Sequence, residues 1–140
     1  ARTSRLLCDV CAAWAALDNA ILPAVNTARA DAGTLSGGMF LYEAQAAHTV
    51  DAVARLSDRR GPNLTICETG FNAGHSAALF LLAAPGAAVV SFDLMDKTYQ
   101  GRALGHLLRQ PWAKGRLTVV RGDSAETVLK YAGDHPGLAC

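Results

Sequence analysis

Five residues carry the chemistry open to this chain: Glu68, Gly70, Gly74, Asp93 and Asp123. Each carboxylate stands at or just past the end of a short apolar run, and each is followed by a turn and a helical pattern. A glycine at 70 lets a ligand approach the backbone closely, and one at 74 frees the turn into the next helix. The helix N-terminus beyond presents unpaired N–H groups to an anionic group such as a carboxylate. Asp93, at the end of the following run, can accept both hydroxyls of a ribose. The glycine spacing narrows the choice of nucleotide. Counting from Gly70, a dinucleotide fingerprint needs glycines where Asn72 and His75 stand, and no Gly-Lys pair completes a phosphate loop. A nicotinamide-dependent oxidoreductase is therefore disfavoured.

The elements that must position these residues follow from periodicity. Leu7, Val10, Cys11, Trp14, Leu17 and Ile21 form one helical stripe between Ser4 and about Ala30. Pro23 is expected to kink or end that helix. Gly33 to Gly38 reads as a loop. A second helix is expected with Phe40, Ala44, Ala47, Val50 and Ala54 on one face, ending by Arg60-Gly61-Pro62. The pattern then alternates. Strands are expected at 64–68, 88–93 and 117–120, with helices at roughly 75–84, 97–110 and 124–132. Asp123 or Ser124 should cap the last helix. Within the helix at 97–110, Ala103, Leu104, Leu107 and Leu108 are expected to face inward.

This order predicts an α/β fold, a Rossmann-like parallel sheet with helices on both faces. Its strands are almost continuously apolar, as helix-covered strands are. Residues 1–60 would form an N-terminal helical cap and 61–140 a partial nucleotide-binding domain. Three parallel strands leave an exposed edge. The chain stops at Gly137-Leu-Ala-Cys140, where a fourth strand would begin, so the domain is expected to be truncated after the third strand.

Composition excludes several classes. With 140 residues, 51% hydrophobic and 18% charged, the chain can bury a core. A net charge of +1 supplies no broad field for nucleic acid or an anionic membrane. The longest apolar stretch, Ala77 to Val90, is broken by Pro85-Gly86 and falls short of the roughly 20 residues of a membrane span. No clean signal peptide is visible, because Asp9 interrupts the run after Leu6-Leu7. Four cysteines are too few for a disulfide scaffold. Cys67 reads as a reduced, buried thiol, which points to a reducing, cytoplasmic compartment. Cys8-x-x-Cys11 lacks the second pair that a structural zinc wants, and both are expected in the core of the first helix. Trp14 should anchor that helix to the sheet or to a second subunit. His75 sits too close to the turn to reach a substrate. His48, His106 and His135 read as surface or packing residues.

Three segments together resemble a known family. Glu68-Thr-Gly-Phe-Asn-Ala-Gly-His-Ser76 is similar to the first motif of class I S-adenosylmethionine-dependent methyltransferases. Ser91-Phe-Asp-Leu94 resembles their second-strand motif, and Arg121-Gly-Asp-Ser124 the element after strand three. Gly38-Met-Phe-Leu-Tyr-Glu43 is similar to the stretch that opens the preceding helix in the small-molecule O-methyltransferase branch. The likeness spans roughly 38–140. It implies S-adenosyl-L-methionine as cofactor and a small-molecule methyl acceptor.

The resemblance also implies roles. Glu68 would help hold the methionine ammonium, and Gly70 would give that moiety room. Phe71, Asn72 and Gly74 would line the loop around it. Asp93 would bind the ribose hydroxyls, Leu94 would pack on adenine, and Asp123, with the Ser124 backbone nearby, would accept from the adenine amino group. Met39 is a looser match. Asn72 replaces the small residue common at its position, which costs little because Asn tolerates left-handed backbone angles. In that family, the catalytic base, any divalent metal ion and much of the acceptor pocket come after a fourth strand. No catalytic residue is therefore named here. The alternative is a non-catalytic module of the same fold, used for assembly as a homo-oligomer through its N-terminal helices or for cofactor or nucleoside binding.

Overall fold

The structure is a computed structural model describing residues 2–27 and 43–138. Its elements are α1 (Arg2–Thr27), α2 (Glu43–Arg60), a 3₁₀ turn (Gly61–Asn63), β1 (Thr65–Thr69), α3 (His75–Ala83), β2 (Ala88–Asp93), α4 (Gln100–Leu108), β3 (Leu117–Arg121) and α5 (Ser124–Asp134). The three strands form one parallel sheet in the order β1-β2-β3. β2 is central, and Val89 to Phe92 are buried, as expected for a strand covered on both faces.

The two faces can be read from adjacent residues of β2, whose side chains point opposite ways. Phe92 meets the ring of Tyr131 on α5 edge to face, 5.5 Å away. Ser91 instead donates to Glu68, which also takes the Ser76 hydroxyl of α3. Helices therefore cover both faces, α5 on one and α3 on the other. The fold is α/β and Rossmann-like, with a helical N-terminal segment.

α3 is apolar all round and buries Ala77, Ala78, Leu79, Leu81 and Ala83. Such a helix is stable only when enclosed, and it packs between the sheet and α1 and α2. α1 reaches both α3 and α4, burying Val10, Trp14, Leu17, Ile21 and Ala24. On α2 the buried line is Ala46, Val50 and Ala54. Ala44, expected on that face, is exposed, and Phe40 and Gly33–Gly38 lie outside the described residues.

Several expectations change. Pro23 does not end the first helix, which continues to Thr27. Proline removes one i→i−4 bond, and only the last turn lies beyond it. Cys8 and Cys11 are free and exposed rather than in the core. The buried line runs through Val10, Trp14, Leu17 and Ile21, which turns both cysteines outward. Cys67 is disulfide-bonded, so it is not the reduced thiol expected. Leu108 is 45% exposed rather than inward. The stretch Ser4–Ala24 of α1 is long and apolar enough to cross a membrane. The interruptions at Arg5 and Asp9 hide this from a search for unbroken apolar runs.

Candidate functional site at the carboxyl ends of the strands

Ligands of open α/β sheets bind beyond the carboxyl ends of the strands, and a cleft of about 580 Å³ lies there. Backbone bonds tie its walls to β2. Gly70 N–H donates to the Phe92 carbonyl at 2.8 Å, and Gly122 N–H to the Asp93 carbonyl at 3.0 Å. The turns after β1 and β3 are thus both anchored on the end of the central strand.

Of the sequence-predicted residues, Gly70, Asn72, Asp93, Leu94, Asp123 and Ser124 line this cleft. Gly70 has φ +87°, and a Cβ there would meet no atom within 4 Å. The space belongs to the cleft. Asn72 has φ 48°, the left-handed angle its residue type tolerates. Leu94 is 57% exposed and forms an apolar surface beside two carboxylates. Asp123 caps α5, accepting from Ala125 N–H at 2.9 Å.

Asp93 is the hub. Its Oδ2 accepts from Asn72 N–H at 3.0 Å, and its Oδ1 from Met95 N–H at 2.7 Å and Gln100 Nε2 at 2.9 Å. Burial alone would raise its pKa. The hydrogen bonds from the Asn72 and Met95 backbone, the Gln100 side chain and the Phe71 backbone together outweigh that and hold it below the usual 3.8. Asp93 is therefore ionised at neutral pH and available to accept.

The remaining three sit behind the wall. Phe71 is 1% exposed, and its ring packs under the turn. Its side chain serves the core and is not part of the cleft lining. Gly74 caps α3 in the left-handed region at φ +81°, where a Cβ would stand 2.6 Å from Leu107 and 2.8 Å from Phe71. Glu68 accepts from Ser76 and Ser91, each at 2.5 Å, and its side chain lies outside the cleft lining. Burial pushes its pKa above the usual 4.5; the two serines oppose the rise and nearby Asp93 adds to it. Met39 lies outside the described residues.

Sequence reading missed the second wall. Thr69, Phe92, Asp96, Lys97, Tyr99, Gln100 and Gly122 complete the lining. The expected helix at 97–110 begins only at Gln100, because the preceding residues form the cleft rim. The Lys97 N–H donates to Gln100 Oε1 at 2.9 Å, and the Tyr99 hydroxyl donates to Asn72 Oδ1. Burial pushes the Tyr99 phenol up, with Lys97 opposing and Asp93 and Asp96 adding, so it remains a donor.

His75 is buried, with Nε2 2.8 Å from Asp18 Oδ1, while Trp14 Nε1 donates to the His75 carbonyl at 2.8 Å. It fastens α1 to α3 and does not face the cleft. Among the described residues, no group of three His, Cys, Asp or Glu side chains is placed to hold a metal ion. No protein-family model, curated protein or solved structure matches the chain.

Proposed function

We propose that this chain is the cofactor-binding part of an S-adenosylmethionine-dependent methyltransferase acting on oxygen of a small molecule. The observation that carries the reading is the meeting of Gly70, Asn72, Asp93, Leu94, Asp123 and Ser124 around one cleft. Those residues come from three sequence segments that resemble one family's motifs.

The residues fit the group. A cleft of about 580 Å³ lies within the roughly 300–1,000 Å³ typical of small-molecule sites. Ionised Asp93 takes the ribose edge, and the apolar face of Leu94 takes the adenine ring. Asp123 accepts from the adenine amino group while still capping α5. The open space at Gly70 receives the amino-acid end. Glu68, behind that wall, contributes negative potential toward the ammonium and fixes Ser76 and Ser91. The bound cofactor supplies an already activated methyl group. This chain's own residues bind it, orient it and exclude water from one side.

Calorimetry with S-adenosylhomocysteine on the intact protein tests the reading. Binding is expected, and Asp93→Ala should weaken it by about tenfold or more, the effect of losing hydrogen bonds to a charged acceptor. Absence of heat with folded protein would end the proposal.

A further inference from the structure

A second hollow lies away from the cleft. α3 begins at the glycine turn and α4 begins at Gln100 in the cleft wall, whereas Leu82 and His106 stand near the other ends of those helices. Between them and α1 is a pocket of about 460 Å³, within the roughly 300–1,000 Å³ of small-molecule sites. α1 lines it with alanines, Ala16 among them, whose short side chains leave the gap unfilled.

The polar groups of this pocket are not used up within the chain. Asp9 makes no hydrogen bond or ion pair among the described residues. Gln110 Nε2 donates to the His106 carbonyl and lies beside His106 Nε2, each at 3.3 Å. An amide nitrogen only donates, so His106 Nε2 accepts. Gln110 Oε1 is left without a donor among the described residues. Burial lowers the His106 pKa from 6.5, with Arg109 adding to the fall, so the ring is neutral at pH 7. Asp9 is thus the one formal charge among the described residues that line the pocket.

The rest of the lining is apolar. Leu82 and Trp112, both half-buried, supply aliphatic and aromatic surface, and an aromatic face also favours a cation. An anionic ligand would meet Asp9 with no positive group to offset it. A wholly apolar ligand would strip water from Asp9 and Gln110 without replacing its hydrogen bonds. An ammonium group on an aromatic body meets both requirements.

We infer that the pocket between α1, α3 and α4 is a second binding site, taking a small aromatic ammonium compound with its charge at Asp9 and Gln110 and its ring against Trp112 and Leu82. The site is separate from the cleft, and the inference does not depend on the cofactor reading.

The test titrates phenethylamine into the intact, isotope-labelled protein at pH 7, followed by nuclear magnetic resonance. The indole N–H signal of Trp112 is expected to shift with a dissociation constant of about 1 mM or below. That of Trp14, buried and bonded to the His75 carbonyl, should stay in place. Phenethyl alcohol, of the same shape without the charge, should bind roughly threefold or more weakly. Asp9→Asn should weaken the amine by roughly three- to fivefold, the scale of an exposed ion pair, and leave the alcohol unchanged. Ala16→Leu fills the pocket and should abolish the binding of both.

No shift at Trp112 in folded protein would overturn the site, as would an amine indifferent to Ala16→Leu. Equal binding of amine and alcohol, or an amine affinity unmoved by Asp9→Asn, would overturn the ammonium assignment. Asp9 and Ala16 are both exposed, so the variants are expected to fold. Amine against alcohol on the unaltered protein decides the role of charge even if neither does.

Discussion

At the scale of single residues, Glu68 shows how a buried carboxylate behind the cleft works against stability. Its two carboxylate oxygens are matched by Ser76 and Ser91, yet burial dominates and raises its pKa above 4.5. A group whose folded pKa is raised binds its proton more tightly in the folded state. Stability therefore falls as pH rises from about 4.5 toward the folded value. Glu68→Gln should abolish that fall and unfold at equal or higher denaturant concentration at pH 7, while weakening S-adenosylhomocysteine binding. Urea titrations at pH 4 and pH 7 check the first part; a variant that loses stability equally at both would contradict it. Asp93 has the opposite sign. Its lowered pKa gives stability that is present above 3.8 and is lost as pH falls through the folded value.

At the scale of elements, the turn from β1 into α3 depends on Gly74. Any side chain there meets both a left-handed backbone angle and Leu107 at 2.6 Å. Backbone strain of about 1–3 kcal/mol and overpacking of a similar size act together. Gly74→Ala should thus cost roughly 3 kcal/mol or more in denaturant unfolding. Gly70→Ala has the backbone strain without the clash, so it should cost less in stability and more in ligand affinity. The other end of α3 is finished by a residue that periodicity does not single out. The Arg116 guanidinium donates to the carbonyls of Leu81, Ala84 and Ala87 at 2.8–2.9 Å, and to that of Trp112. It satisfies carbonyls that a helix end leaves over. Arg116→Ala should cost about 2–3 kcal/mol, given the strength of charge-assisted bonds. Arg116→Lys should recover only part of it, since an ammonium lacks the planar fork.

At the scale of the whole molecule, α1 is integral to the core that supports the site. Trp14 is 8% exposed, lies edge-on to His75 with ring centres 5.9 Å apart, and donates to its carbonyl. His75 opens α3, immediately after the glycine turn. Trp14→Ala should cost about 3–5 kcal/mol, a large part of the stability of any single domain. A fall in Tm on the order of 10 °C in calorimetry is expected. Trp14→Phe keeps the ring and should lose far less. A minimal effect of Trp14→Ala would show that α1 packs more loosely than its burial implies. The long apolar helix is thus explained in part by the core, while its outer face carries exposed Cys8, Cys11 and Leu22.

The local alternation of apolar runs, turns and helical stripes determined by itself the three strands, their parallel helix-covered arrangement, and the placing of Asp93 and Asp123 at strand ends. Those features depend on residue types a few positions apart, so they are written in the chain directly. Tertiary structure alone decided which side of each element mattered. Cys8 and Cys11 turn outward because the helix rotates about the Val10–Trp14–Leu17 line. Phe71 and Glu68 turn behind the wall because strand alternation and the turn geometry point them there. Tyr99 and Gln100 enter the site because β2 carries the segment after it across the cleft to Asn72 and Asp93. Side-chain direction and long-range partners are properties of packing, which no count of spacing within one segment can supply.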